Sequence, residues 1–388
     1  MKDERRRARG RRGIMNGRAA LIAVFGLALG LSAPSSVAPQ QAPAPPAKPA
    51  PKEDTFKPRL VFLPFVYYTP ETQLAFGAGG VLTFKAGAEK APTRTSTVWA
   101  FGTYSLAKQV QVSINPTIFF ERNDVSLSAN LRYERTPQKF YGIGNDTPSG
   151  LMELYTPRIA LLQAGLKKRI RGGLYAGLLL DLEKTTLEKF EPGGILATAG
   201  LPGSRGGLVS GLAAGLDWDT RDSAQFPRSG SFFQLTAGAY GRATLSDFAF
   251  TNLKVDLRTY LAPAAGQVLA LQAVLRLTSG DTPFYRLSML GGDSLMRGYY
   301  KGRFRDKNMI VVQGEYRVAL RGKFGLAGFA GLGHVFPRFE DLGLDSLKYS
   351  LGTGLRYSLD ARAGTNIRMD LAWGVRSFGL YFTAQESF

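Results

Sequence analysis

Three groups of residues in this 388-residue chain have the types and spacing that chemistry requires. Gly292-Asp-Ser-Leu295 spells the nucleophile sequence of one class of serine hydrolases. Asp217, Asp219 and Asp222 offer three hard oxygen ligands within six residues. Arg297 lies in a basic, glycine-jointed stretch, Gly291–Asp306. A serine becomes a nucleophile only when a base takes its proton. The single histidine, His334, has Gly331 three residues before it, where that hydrolase class places an aspartate, so the acid–base pair is missing and no catalytic residue is assigned. Carboxylates suit hard cations, yet Arg221 and Arg228 stand beside the three aspartates and read as their partners in a solvated turn. His334 has no cysteine or second histidine with which to share a zinc ion. No metal and no cofactor is therefore expected. What remains is recognition by the arginine-bearing stretch, because a guanidinium and a carboxylate make two parallel charge-assisted bonds.

The elements that position this stretch follow from periodicity. From Leu60 onward the dominant period is two: Leu253, Val255, Leu257 and Leu261 share one face of a segment whose other face carries Asn252, Lys254, Asp256 and Arg258. Sixteen such segments start near residues 60, 72, 95, 109, 124, 153, 173, 207, 230, 247, 267, 308, 323, 347, 364 and 379. Each is long enough to cross a bilayer as a tilted strand of about 9–11 residues. Short turns, such as those at Arg122, Arg171, Pro263 and Arg321, fall on one side, and longer connections (136–152, 189–206, 280–307 and 335–346) on the other. The pattern predicts an all-β, 16-stranded antiparallel transmembrane β-barrel of the outer-membrane kind over residues 59–388, with a long loop between strands 11 and 12. Counting back from Phe388, Ala384, Phe382 and Leu380 share its face, so Leu380, Phe382 and Phe388 read as an aromatic-ended signal for barrel assembly, with Glu386 as a charge on the same face near the interface.

The N-terminus agrees with export. Eight basic residues between Lys2 and Arg18, an apolar run from Ala19 to Leu31 and small residues up to Ala38 have the layout of a signal peptide over 1–38. About thirteen apolar residues are too few for a membrane span of roughly 20. A proline- and alanine-rich tract follows and reads as a periplasmic tether over 39–58. With no cysteine there is neither a disulfide framework nor a lipoprotein anchor. The formal charge of +19 (49 basic minus 30 acidic residues) falls to near +13 without the leader, which carries 8 basic and 2 acidic residues. In an exported protein with charge spread along its strands, this excess fits lipid phosphates at the outer membrane, lipopolysaccharide included, and not nucleic acid.

Met296-Arg297-Gly298-Tyr299 resembles the conserved element in the sixth outer loop of the BamA/TamA superfamily, also called the bacterial surface antigen family. Asp217–Asp222 followed by Phe226–Gly230 is similar to the family's turn between strands 8 and 9, and Tyr141–Thr147 to a loop of its short members. The resemblance covers roughly residues 60–388. It implies that the long loop folds into the lumen and that Arg297 pairs there with acidic groups of the wall. Alternation independently points Glu315 inward with Val311, Gln313 and Arg317, at the family's acidic position on strand 12. Gly298 lets the chain turn sharply beside the arginine, and Phe329 packs on Tyr299 or on the guanidinium. On strand 13 the resemblance expects an aspartate where Gly331 stands, so Arg297 is expected to find one carboxylate and not two, in a looser lock. The lock residues expected are thus Arg297, Gly298, Tyr299, Glu315 and Phe329.

The resemblance further implies a barrel that assists insertion or translocation of protein or lipid, here in a short form without POTRA domains, so that either a separate periplasmic protein delivers cargo or the barrel needs no such delivery. The rival roles are a passive pore or surface antigen plugged by its loop, and a membrane anchor for a periplasmic partner.

Overall fold

The computed structural model describes residues 58–86, 95–120, 124–148, 150–223, 226–360 and 365–388. The expected leader, the tether up to residue 57 and the turn at Arg122 lie outside these residues. Sixteen barrel strands run in chain order: β1 (Arg59–Thr69), β2 (Gln73–Phe84), β3 (Ser96–Ser105), β4 (Val110–Phe120), β5 (Val125–Arg135), β6 (Glu153–Arg171), β7 (Leu174–Phe190), β8 (Gly207–Asp219), β9 (Gly230–Tyr240), β10 (Phe250–Leu261), β11 (Gln267–Gly280), β12 (Asn308–Ala319), β13 (Phe324–Phe336), β14 (Lys348–Asp360), β15 (Thr365–Gly374) and β16 (Ser377–Ala384). Every start lies within three residues of the one expected from alternation. Each strand pairs antiparallel with its sequence neighbours, and β16 meets β1 to close the barrel. Away from the β16–β1 junction, neighbouring strands give the sheet's backbone groups the partners that lipid cannot supply.

Alternation sorts the side chains as the period requires. Leu60, Phe62, Val112, Leu178, Leu212 and Leu351 are exposed on the outer face. Aromatic side chains rim that belt, with Tyr104, Tyr133, Tyr349 and Trp373 toward one end and Phe120, Trp218, Phe324 and Tyr357 toward the other. Such girdles mark the two membrane interfaces of transmembrane barrels. Among the described residues no helix is long and apolar enough to cross a membrane.

The wall is uneven. β6 and β7 run to 19 and 17 residues, whereas β16 has 8. The sorting of connections into short and long is also incomplete. On the long-loop side, the turns 70–72, 106–109 and 375–376 are short, and they cluster around the junction of β16 with β1; on the opposite side, 220–229 is a ten-residue connection. The junction itself is thin. β1 and β16 pair at one position, Tyr68 with Phe382, whereas β15 and β16 pair across Ile367–Gly374 and β10 pairs with β11 along the whole of β10.

The last four residues depart from expectation. Gln385 takes φ +67°, β16 ends at Ala384, and the chain turns into the barrel. Leu380 and Phe382 stay on the outer face, but Phe388 is buried inside against Tyr260 and Ala270. Glu386 is likewise an interior residue, bonded to Arg356 and Asn366. A left-handed residue breaks the period of two, so counting back from the end assigned Phe388 and Glu386 to the wrong face.

Because the chain has no cysteine, closure can be tested directly. Paired antiparallel residues lie about 4.5–5.5 Å apart at Cα, within disulfide reach. A Tyr68→Cys/Phe382→Cys variant is expected to oxidise to an intramolecular disulfide, seen as a mobility shift reversed by reductant. Failure to form it would show that β1 and β16 do not meet here.

Candidate functional site

The loop between β11 and β12 leaves Gly280, makes a short turn at Phe284–Arg286 and forms a small ladder of Ser288–Leu290 with Phe304–Asp306. Its tip descends into the lumen. Leu290, Met296, Tyr299 and Phe304 of the loop form one buried cluster with Val274, Met309, Val311 and Val335 of β11–β13. Apolar burial thus holds the loop against one wall, at roughly 25 cal/mol per Å² removed from water.

At the bottom of the tip Met296 has φ +54° and Gly298 φ +106°. Gly298 lies so close to β15 that a Cβ would stand 2.8 Å from the Trp373 carbonyl carbon, which makes glycine obligatory there. These turns aim Arg297 at the wall. Its Nη2 donates to Glu315 Oε2 on β12 at 2.5 Å, its Nη1 to Asp370 Oδ2 on β15 at 2.6 Å, and its plane covers the Phe329 ring at 3.4 Å from the centroid. The expected lock residues Arg297, Glu315 and Phe329 are therefore brought together. Tyr299 lies beside them: its hydroxyl donates to the Tyr349 carbonyl at 2.8 Å and accepts from the Val375 amide at 2.7 Å.

The expectation of a single carboxylate for Arg297 is corrected by Asp370. The space beside Gly331 is filled by the loop itself: a Cβ there would sit 3.0 Å from Met296 Sδ. A side chain of aspartate size does not fit under this methionine, and the second carboxylate comes from two strands further round.

The pair belongs to a larger buried network. Glu315 also accepts from Arg317 at 2.7 Å and Arg356 at 3.1 Å, and Asp370 from Arg356 at 2.6 Å and Arg368 at 2.7 Å. Arg356 and Arg317 continue to Glu386, and Arg317 donates to the Phe388 carbonyl at 3.0 Å. Four guanidinium groups thus share three buried carboxylates, and the half-exposed Asp293 lies 3.6 Å from Arg368. None of the four arginine side chains is more than 8% exposed, so each depends on these partners and not on water.

Sequence reading missed two further anchors. Arg286, at the base of the loop, pairs with Asp181 and with Glu183 (2.8 Å), both on β7 across the lumen. Tyr240 Oη donates to the same Asp181 at 2.8 Å. On the seam side the Lys301 amide donates to Glu71 Oε1 at 2.6 Å, and Gly298 bonds Tyr381 and Ser377 of β16. The loop therefore touches both sides of the β1–β16 junction.

The residues first read for other chemistry are spread apart. The Ser294 carbonyl accepts from Gln313, Asp293 is held by Arg368, and the His334 ring bonds Ser346. Asp217 pairs with Lys167, Asp219 with Arg221, and Asp222 accepts from the backbone amides of Arg228 and Ser229. Of the two arginines expected to stitch this turn, Arg221 does so by its side chain and Arg228 by its backbone amide.

Removing Glu315 leaves three guanidinium groups short of a partner, so Glu315→Ala is expected to destabilise the barrel by about 3–5 kcal/mol. The readout is the temperature at which the compact form is lost on electrophoresis. Arg297→Lys is expected to fall close to Arg297→Ala, because a compact ammonium lacks the two separated Nη donors that reach Glu315 and Asp370; full stability of the lysine variant would refute the bridging geometry. Burial pushes the Glu71 carboxyl up. Between the ordinary and the raised value the folded protein binds the extra proton, so Glu71 makes stability fall as pH rises through that window. Glu71→Gln is expected to remove this loss on going from mildly acidic to neutral pH, measured by thermal unfolding of both proteins.

No curated protein sequence matches this chain. Among solved structures, BamA from Haemophilus ducreyi lacking POTRA domains 1–3 superposes with a TM-score of 0.59 over 85% of this chain and 70% of its own, at 14% identity. CdiB from Escherichia coli gives 0.54 over 83% of this chain and 62% of its own, at 10% identity. At these identities the likeness is one of fold. The Omp85 superfamily domain model matches residues 99–382, most of the barrel and the whole inward loop, and the chain belongs to the Omp85 superfamily.

Proposed function

We propose that this outer-membrane barrel assists insertion or translocation of protein or lipid, and that it does so by parting β1 from β16. The observation that carries this reading is the single pairing of Tyr68 with Phe382, which leaves most of two strand edges without ladder partners from each other. A free strand edge is a template for an incoming strand. The wall next to this edge is braced from within: the loop ties β12, β15 and β16 together through Arg297, Gly298 and Tyr299. Parting is thereby confined to the seam.

In this reading the chain reaches the outer membrane through the signal peptide of 1–38. Membrane lipid, lipopolysaccharide included, surrounds the apolar belt, and a separate periplasmic protein presents the cargo. Arg297, Gly298, Tyr299, Glu315 and Phe329 act as the lock that holds the loop, and Leu380 and Phe382 act in assembly of the last strand.

Depletion of the protein is expected to lower the outer-membrane level of particular barrels or lipids. The wild-type gene is expected to restore that level, and the oxidised Tyr68→Cys/Phe382→Cys protein is not; restoration by the cross-linked protein would overturn opening at the seam. Arg297→Ala is expected to raise conductance in planar bilayers. Unchanged conductance in a folded variant would remove the lock.

A further inference from the structure

The loop leans on β11–β16, and at the edge of that surface, where β11 meets β10, the wall carries a concentration of positive charge that the network around Glu315 does not use. Lys254 on β10 and Arg276 on β11 are direct cross-strand partners, and both point into the lumen. Like charges placed directly opposite each other destabilise a strand pair. One carboxylate stands nearby, Asp256, and it is already engaged by Arg258 through two bonds (3.0 and 2.9 Å) and by Gln272 at 3.0 Å. Lys254 bonds the neutral Gln234 Oε1 at 3.0 Å and lies 3.6 Å from Asp256. Arg276 makes no hydrogen bond or ion pair among the described residues, and it is exposed to the lumen. The nearest cation on the loop, Arg286, is committed to Asp181 and Glu183. Three cations on two adjacent strands thus share one carboxylate. The excess sits on an inner wall, where neighbouring charges act more strongly than on an open surface.

We propose that Lys254 and Arg276 form a binding site for a phosphate-bearing anion in the lumen. A phosphate presents several acceptor oxygens, so it satisfies the ammonium as a point charge and the guanidinium through paired bonds at once. Binding removes the repulsion that the empty pair carries. The phosphate comes from a soluble anion or from a lipid headgroup, and the two are separable by experiment. The site does not depend on opening of the seam.

The test uses the full chain, purified in phosphate-free buffer and unfolded thermally at constant ionic strength. The probes are inorganic pyrophosphate and, in a second arm, a short-chain phosphatidic acid. The wild type is expected to gain stability saturably with at least one probe, and the responding arm identifies the source. Arg276→Gln and, separately, Lys254→Gln are expected to be at least as stable as wild type without probe, since the repulsion is gone, and to bind about tenfold more weakly or not at all. A wild type indifferent to both probes would overturn the proposal. So would variants that respond as wild type does, or that lose stability without probe.

Discussion

A guanidinium held between two carboxylates on strands that are not neighbours is the interaction on which the interior depends. Arg297 joins Glu315 on β12 to Asp370 on β15, and all three side chains are shielded from water. Such a group has no neutral form to retreat to, and each of its partners is expensive to bury alone. The consequence is cooperativity within the wall. Glu315 serves Arg297, Arg317 and Arg356, and Asp370 serves Arg297, Arg356 and Arg368. Loop and strands thereby keep one another's charges satisfied.

Much of the scaffold was legible because a barrel strand writes a two-sided pattern. One face meets lipid and the other meets a polar lumen, so alternation fixes strand starts and the inward direction of Glu315. What alternation does not contain is adjacency across the lumen. Asn366, Arg368 and Asp370 lie on one face of β15 as surely as Glu315 does on β12, yet only the descent of the loop brings Asp370 to Arg297. The same holds for Arg286, whose partners stand more than a hundred positions earlier in the chain. Gly331 shows the complementary limit. Its neighbour is a methionine of the loop, so the absent aspartate reports on packing and not on a weaker lock.

Aromatic packing gives the loop a second attachment above the charges. Phe284 and Leu287 at its base are buried with Phe140, Tyr155 and Leu196 from the neighbouring outer loops and β6. Phe284 meets Phe140 and Tyr155 edge to face, at 5.5 and 5.4 Å. The long outer connections therefore form one packed lid over the loop's base, while the short turns 70–72 and 375–376 leave the rim low at the junction of β1 with β16.

The height of β6 and β7 adds a mechanical reading. Nineteen residues at about 3.3 Å each give a strand of roughly 60 Å, well beyond an apolar belt about 25 Å tall even when tilted. The same continuous β7 that reaches out to Phe190 carries Asp181 and Glu183, the partners of Arg286. A load on the projecting end of this hairpin is thus borne, through one stiff lever, by the base of the loop.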